Sequence, residues 1–166
     1  MDKHTMLSPT LNDNPLLHQG ALPDFEKIRS EHVVPAVRAA LTLAEEALAA
    51  VEKEENPTWE NFVLPLRQAT RRLDQAWSAV NHLMGVKNSD DLRKAHDAVQ
   101  NEVVAFSLKM GQSRALYNAW EKLQKNKSEL STPARVRIVE AALRDARLSG
   151  IALEGKAKER FNAIQQ

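Results

Sequence analysis

From Ser30 onward the apolar residues recur in alternating steps of three and four, the spacing that lines up one face of an α-helix. Val34, Val37, Leu41, Ala44, Leu48 and Val51 make the first such stripe, with Arg38, Glu45, Glu46 and Glu52 set away from it. The spacing predicts a long helix with Ser30 as N-cap, Glu31 and His32 in its first turn, and the polar run to Asn56-Pro57 as its end. Pro35 lies deeper than a first-turn proline should, so the expected start can slip by a residue or two. Trp59, Phe62, Leu66, Ala69, Leu73, Ala76, Val80 and Leu83 form a second stripe, capped by Thr58 and stopped by Gly85, with Pro65 predicting a bend or a delayed start. Ser89 is the next expected cap, and Asp90 and Asp91 suit the positive end of the helix it opens. Leu92, Ala95, Val99, Val103, Phe106 and Met110 carry that helix to Gly111.

A shorter helix is marked by Leu116, Tyr117, Trp120 and Leu123 and closed by Lys125-Asn126-Lys127. Thr132-Pro133 is a cap followed by a first-turn proline, Val136, Val139, Leu143 and Ala146 are its stripe, and Ser149-Gly150 is the stop. Leu153, Ala157, Phe161 and Ile164 start a last amphipathic stretch that is still running at Gln166, a pattern that predicts a longer natural chain. Residues 1–23, rich in Pro, Asn, Asp and Leu, read as an extended arm, with Leu16 and Leu17 placed to pin it to the body and a short turn at Asp24–Ile28.

The fold class expected is all-α: an antiparallel helical bundle of about five to seven helices preceded by the extended arm. Residues 24–166 are read as one helical N-terminal domain, truncated from a longer protein. Stripes of this kind also line coiled-coil seams, but sustained heptads run longer than these, so packing of antiparallel neighbours is the expectation. Composition agrees: 43% of the 166 residues are hydrophobic and 27% charged, near the norm for a single globular domain. Glycine, at 5 residues, is scarce.

Charge and cysteine content narrow the chemistry. Lys and Arg number 23 against 22 Asp and Glu, so the marked basic excess of a nucleic-acid or anionic-membrane binder is missing. With no cysteine there is no disulfide, thiolate nucleophile or Cys-based zinc finger. No run of about 18 apolar residues exists to span a membrane, and Met1 to Gly20 lacks a signal-peptide core, so a cytoplasmic protein is expected.

No catalytic, cofactor-binding or metal-binding residue is assigned. The histidines, His4, His18, His32, His82 and His96, do not occur as HExxH, where two imidazoles one turn apart grip zinc and the glutamate activates water. They read as surface or supporting residues. G-x-S-x-G and glycine-rich phosphate loops are absent. The pairs Glu45-Glu46, Glu54-Glu55 and Asp90-Asp91 are sequence neighbours that diverge by about 100° on a helix. Arg67, Arg71 and Arg72 share one helix face, and Arg135, Arg137, Arg144 and Arg147 decorate another helix; nearby Asp74, Glu140 and Asp145 are the expected partners. The aromatics fall in or beside the stripes, except that Trp77 flanks its own and is free to touch a partner.

In order along the chain, Asn14-Pro15-Leu16-Leu17, Leu22-Pro23-Asp24-Phe25-Glu26-Lys27-Ile28, Glu31-His32-Val33-Val34-Pro35-Ala36-Val37, Thr58-Trp59-Glu60-Asn61, Val80-Asn81-His82-Leu83 and Val86-Lys87-Asn88-Ser89 form a series. It continues with Leu116-Tyr117 and, most distinctively, the segment from Val139 to Leu153. This series resembles the N-terminal helical region of the oligopeptidase A branch of the thimet oligopeptidase-like zinc metallopeptidases. The resemblance implies a helical wall of a narrow channel that admits short, unstructured peptides. It implies zinc in the parent enzyme, held by HExxH histidines and a downstream glutamate outside the matched region. The partners implied are the remainder of the parent peptidase and short peptides, with no nucleic acid and no membrane. The alternative is a free-standing helical scaffold or interaction module without enzymatic activity.

Overall fold

In the computed structural model of this protein, residues 13–18 and 22–165 are described. The rest of the expected arm, residues 1–12 and 19–21, lies outside the described residues. Among the described residues six α-helices follow one another: α1 (Ser30–Val51), α2 (Leu64–Val86), α3 (Asp90–Gly111), α4 (Arg114–Lys125), α5 (Pro133–Leu148) and α6 (Gly155–Gln165). A π-helical turn, Trp59–Val63, precedes α2, and the described residues include no strand. The all-α expectation and its helix count are met.

The starts of the helices show how closely side chains dictate them. At Thr58 a full capping box forms: the Asn61 amide donates to Thr58 Oγ1 at 3.1 Å, and the Thr58 amide donates to Asn61 Oδ1 at 2.7 Å. The Leu64 amide then reaches back to the Trp59 carbonyl, a π-type bond, so the chain widens just before Pro65. Pro65, which has no N–H to give, falls at the second position of α2. The delayed start is therefore realised as a π turn. Ser89 accepts from the Leu92 amide at 3.2 Å, and Thr132 from the Arg135 amide at 3.3 Å, as expected of caps.

α1 differs from expectation. Ser30 stands inside it as the first residue, and the exposed amide of Arg29 is taken up instead by His32 Nδ1 at 3.0 Å. Pro35 is kept within the helix. Gly85 also differs: α2 runs through it to Val86. α5 ends as glycine chemistry requires. Gly150, at φ 82°, donates to the Arg147 carbonyl at 3.1 Å, and Ile151 donates to the Ala146 carbonyl at 3.2 Å, the paired bonds of a Schellman motif.

The chain divides into two compact units, residues 1–46 with 67–102 and residues 47–66 with 103–166. In the first unit, Val33, Val37, Ala40 and Ala44 of α1 are fully buried, as are Ala76 and Val80 of α2 and Val99 of α3. Leu16 and Leu17 are buried too, held in a turn in which Asn14 Nδ2 donates to the His32 carbonyl at 3.0 Å and Asn14 Oδ1 accepts from the Leu16 amide at 3.0 Å. The pinning role of the two leucines follows from that bonding. Arg38 of α1 meets Glu102 of α3 through both Nε and Nη2, the closest contact being 2.8 Å.

In the second unit the core is Leu48, Phe62, Val63, Leu123, Val139 and Leu143, closed by Trp120, whose ring meets Phe62 edge-on at 4.7 Å and 70°. α4 and α5 pack together. Gln112 Nε2, just past α3, donates to the Ser149 carbonyl at 3.0 Å and to Asn162 Oδ1 at 2.7 Å, fastening the turn between α5 and α6.

Candidate functional site

The side chains with chemical potential gather in three places. In the first unit, His96 of α3 is buried, its ring stacked on Trp77 of α2 at 4.6 Å and 18°. Its Nδ1 lies 3.2 Å from Asp97 Oδ1 and its Nε2 3.1 Å from Asn81 Oδ1. Of the two expectations for the histidines, His96 meets the supporting one rather than the surface one, and the half-buried Trp77 has its ring against an imidazole of the same unit. The signal was present: Leu92, His96, Val99, Val103 and Phe106 step four, three, four, three, so His96 occupies a core position of its own helix. His82 tilts against Phe25 at 5.1 Å. His32 serves the start of α1, and His18 is exposed. His4 lies outside the described residues.

The second place is built around Trp59. Its amide donates to Glu129 Oε2 at 2.8 Å, and the Arg135 guanidinium lies over its ring at 4.6 Å. Arg135 also donates to the Glu129 carbonyl at 3.1 Å and lies 3.7 Å from Glu60. The third is Tyr117 of α4. The Arg114 and Arg147 guanidiniums lie 5.9 and 6.0 Å from its ring centre, and Arg147 Nε donates to its hydroxyl at 3.2 Å.

The arginine clusters are thus only partly paired as expected. Arg144 does meet Asp145, at 3.2 Å, but Arg135 finds Glu60 from far along the chain and Arg147 finds a phenol. On α2, loss of hydration around the Asp74 carboxyl raises its pKa, and the Arg67 charge opposes that rise.

None of the three clusters joins a base to a nucleophile. No serine, threonine or cysteine among the described residues accompanies His96 and Asp97. The carboxylates beside Trp59 are taken up by its amide and by Arg135, and the Tyr117 cluster holds only arginines and a phenol. Among the described residues no three of His, Asp or Glu lie close enough together to hold a metal ion, so these residues do not fit a zinc site. No described helix is long and apolar enough to cross a membrane.

Comparison with known proteins places this arrangement. A family model for the Neurolysin/Thimet oligopeptidase N-terminal domain matches residues 37–158. The chain is 42% identical to a probable cytosolic oligopeptidase A of Arabidopsis thaliana over 158 residues, covering 95% of this chain and 22% of that protein. It is 41% identical to an organellar oligopeptidase A of the same plant, covering 95% of this chain and 20% of that protein. Against oligopeptidase A of Escherichia coli it is 40% identical, covering 91% of this chain and 22% of the relative. The chain therefore spans about a fifth of the length of the relatives it matches. The Thr58 capping box, the turn after α5 and the buried leucines before α1 all fall in segments that carry the resemblance. This chain belongs to the Neurolysin/Thimet oligopeptidase N-terminal domain family.

Proposed function

We propose that this chain is the non-catalytic N-terminal part of an oligopeptidase A-like zinc metallopeptidase that hydrolyses short peptides. In this reading it forms one wall of the substrate channel and acts through shape. Residues 24–166 are the helical domain, residues 1–23 an arm laid on it, and the remainder of the peptidase its partner, supplying the zinc ligands. Its place is the cytoplasm. The observation that carries the reading is the match along 91% to 95% of this chain to proteins named oligopeptidase A, at 40% to 42% identity.

A chimera tests it: this chain replaces the matching fifth of the E. coli relative. The expected result is zinc-dependent cleavage of a quenched-fluorescent short peptide, with a folded protein substrate left intact. The isolated 166-residue chain is expected to cleave neither. Chelator-sensitive hydrolysis by the isolated chain, or a zinc-loaded chimera that cuts folded protein as fast as peptide, overturns the proposal.

A further inference from the structure

Tyr117 is the chain's single tyrosine, and it sits between two arginines whose charges are not neutralised. Arg114 uses one Nη2 bond, at 2.8 Å, to the Ile151 carbonyl in the turn after α5. Arg147 uses its Nε on the Tyr117 hydroxyl. Among the described residues no carboxylate pairs with either arginine: Asp145 is turned to Arg144, and Glu52 accepts from Ser113 Oγ at 2.6 Å. Arg114 and Arg147 are both exposed residues.

The donors outnumber the acceptors here. Because the Tyr117 oxygen accepts from Arg147, its own hydrogen points elsewhere, and no described group receives it. Arg147 keeps both terminal nitrogens open, an arrangement that matches the two oxygens of a carboxylate. Arg114 and Tyr117 lie in the first turns of α4, a helix of 12 residues whose N-terminal end favours negative charge. The opposing negative end of α5 is muted, because the carbonyls of Ala146 and Arg147 are already taken by Ile151 and Gly150.

We propose that Arg114, Tyr117 and Arg147 form a carboxylate-binding site and that its ligand is the C-terminal carboxylate of a short peptide. The carboxylate follows from the donors; the peptide rests on the peptidase reading above.

The single tyrosine makes the test direct. The full chain grown with 3-fluorotyrosine gives one fluorine resonance, located at the site. It is titrated with acetylated trialanine bearing a free C-terminus, with its C-terminal amide, and with inorganic phosphate. The free acid is expected to shift the resonance saturably, and the amide to bind about tenfold more weakly or less, since a bond to a charged acceptor is lost. Arg147→Gln and Arg114→Gln each abolish the response, and Arg147→Lys, which keeps charge without the planar fork, weakens it. Arg144→Gln leaves it intact. Equal responses to acid and amide, a response to phosphate alone, or none at all overturn the site, and the comparison of ligands on the unaltered chain holds even if a variant unfolds. Failure here leaves peptide cleavage by the chimera untouched, so the two proposals fail separately.

Discussion

A β-carbon placed on Gly111 would lie 2.7 Å from Ser149 Cβ and 2.8 Å from its Oγ, closer than such atoms approach. At Gly85 nothing lies within 4 Å. Both residues lie within helices and neither has a positive φ, so alanine suits the backbone at each. Packing alone decides the sign. Gly85→Ala should stabilise the protein by about 0.5–1 kcal/mol, the usual gain from replacing a helical glycine. Gly111→Ala should destabilise it by about 1–3 kcal/mol, because Ser149 is fixed by the bond from Gln112 to its carbonyl and cannot retreat freely. Urea midpoints that move in opposite directions are the expected result; two upward shifts would mean that Ser149 gives way. The sequence makes these two glycines look alike, as helix stops, because the constraint on Gly111 comes from a residue 38 positions away. His96 is the converse: its core position was readable from spacing, but imidazole is seldom assigned to a core, and the Trp77 and Asn81 that receive it lie on another helix.

Between residues and whole chain, the helix starts carry the most local information, since a cap needs only three or four consecutive residues. Thr132-Pro133 and Ser89 were legible for that reason. The π turn before α2 was not, because Trp59, Phe62 and Leu66 step three and four as in an ordinary helix. Only Pro65 betrayed an irregularity. Caps also separate two threonine or serine positions that look equivalent in sequence. Thr58→Ala removes the acceptor for the Asn61 amide and should cost about 1 kcal/mol, the usual value of a side-chain cap. Ser30→Ala should change stability by no more than about 0.5 kcal/mol, because His32, not Ser30, serves the amide at the start of α1. Thermal unfolding of the two variants side by side decides the matter: equal losses would return the cap of α1 to Ser30.

For the molecule as a whole, the ordered series of short motifs was enough to indicate the family, although each motif alone was weak. The division into two units was not legible, because its boundaries at 46/47, 66/67 and 102/103 fall inside α1, α2 and α3, where composition does not change. Net charge is legible at this scale and makes a prediction of its own. Affinity for nucleic acid comes from cations that neutralise phosphates, and each such contact adds to the salt dependence of binding. Here 23 basic residues face 22 acidic ones, and several arginines are engaged within the protein. Arg38 is held by Glu102, Arg135 by Glu60 and the Trp59 ring, and Arg144 by Asp145. The remaining cations are balanced by acids across the chain, so no basic excess is left to supply the roughly six to ten phosphate contacts of a backbone footprint. Fluorescence anisotropy of a labelled 20-base-pair duplex should therefore stay flat up to about 10 µM protein at physiological salt, below the range of ordinary non-specific binders. A saturating curve near about 1 µM that weakens steeply with salt would show instead that these arginines leave their partners to meet phosphate.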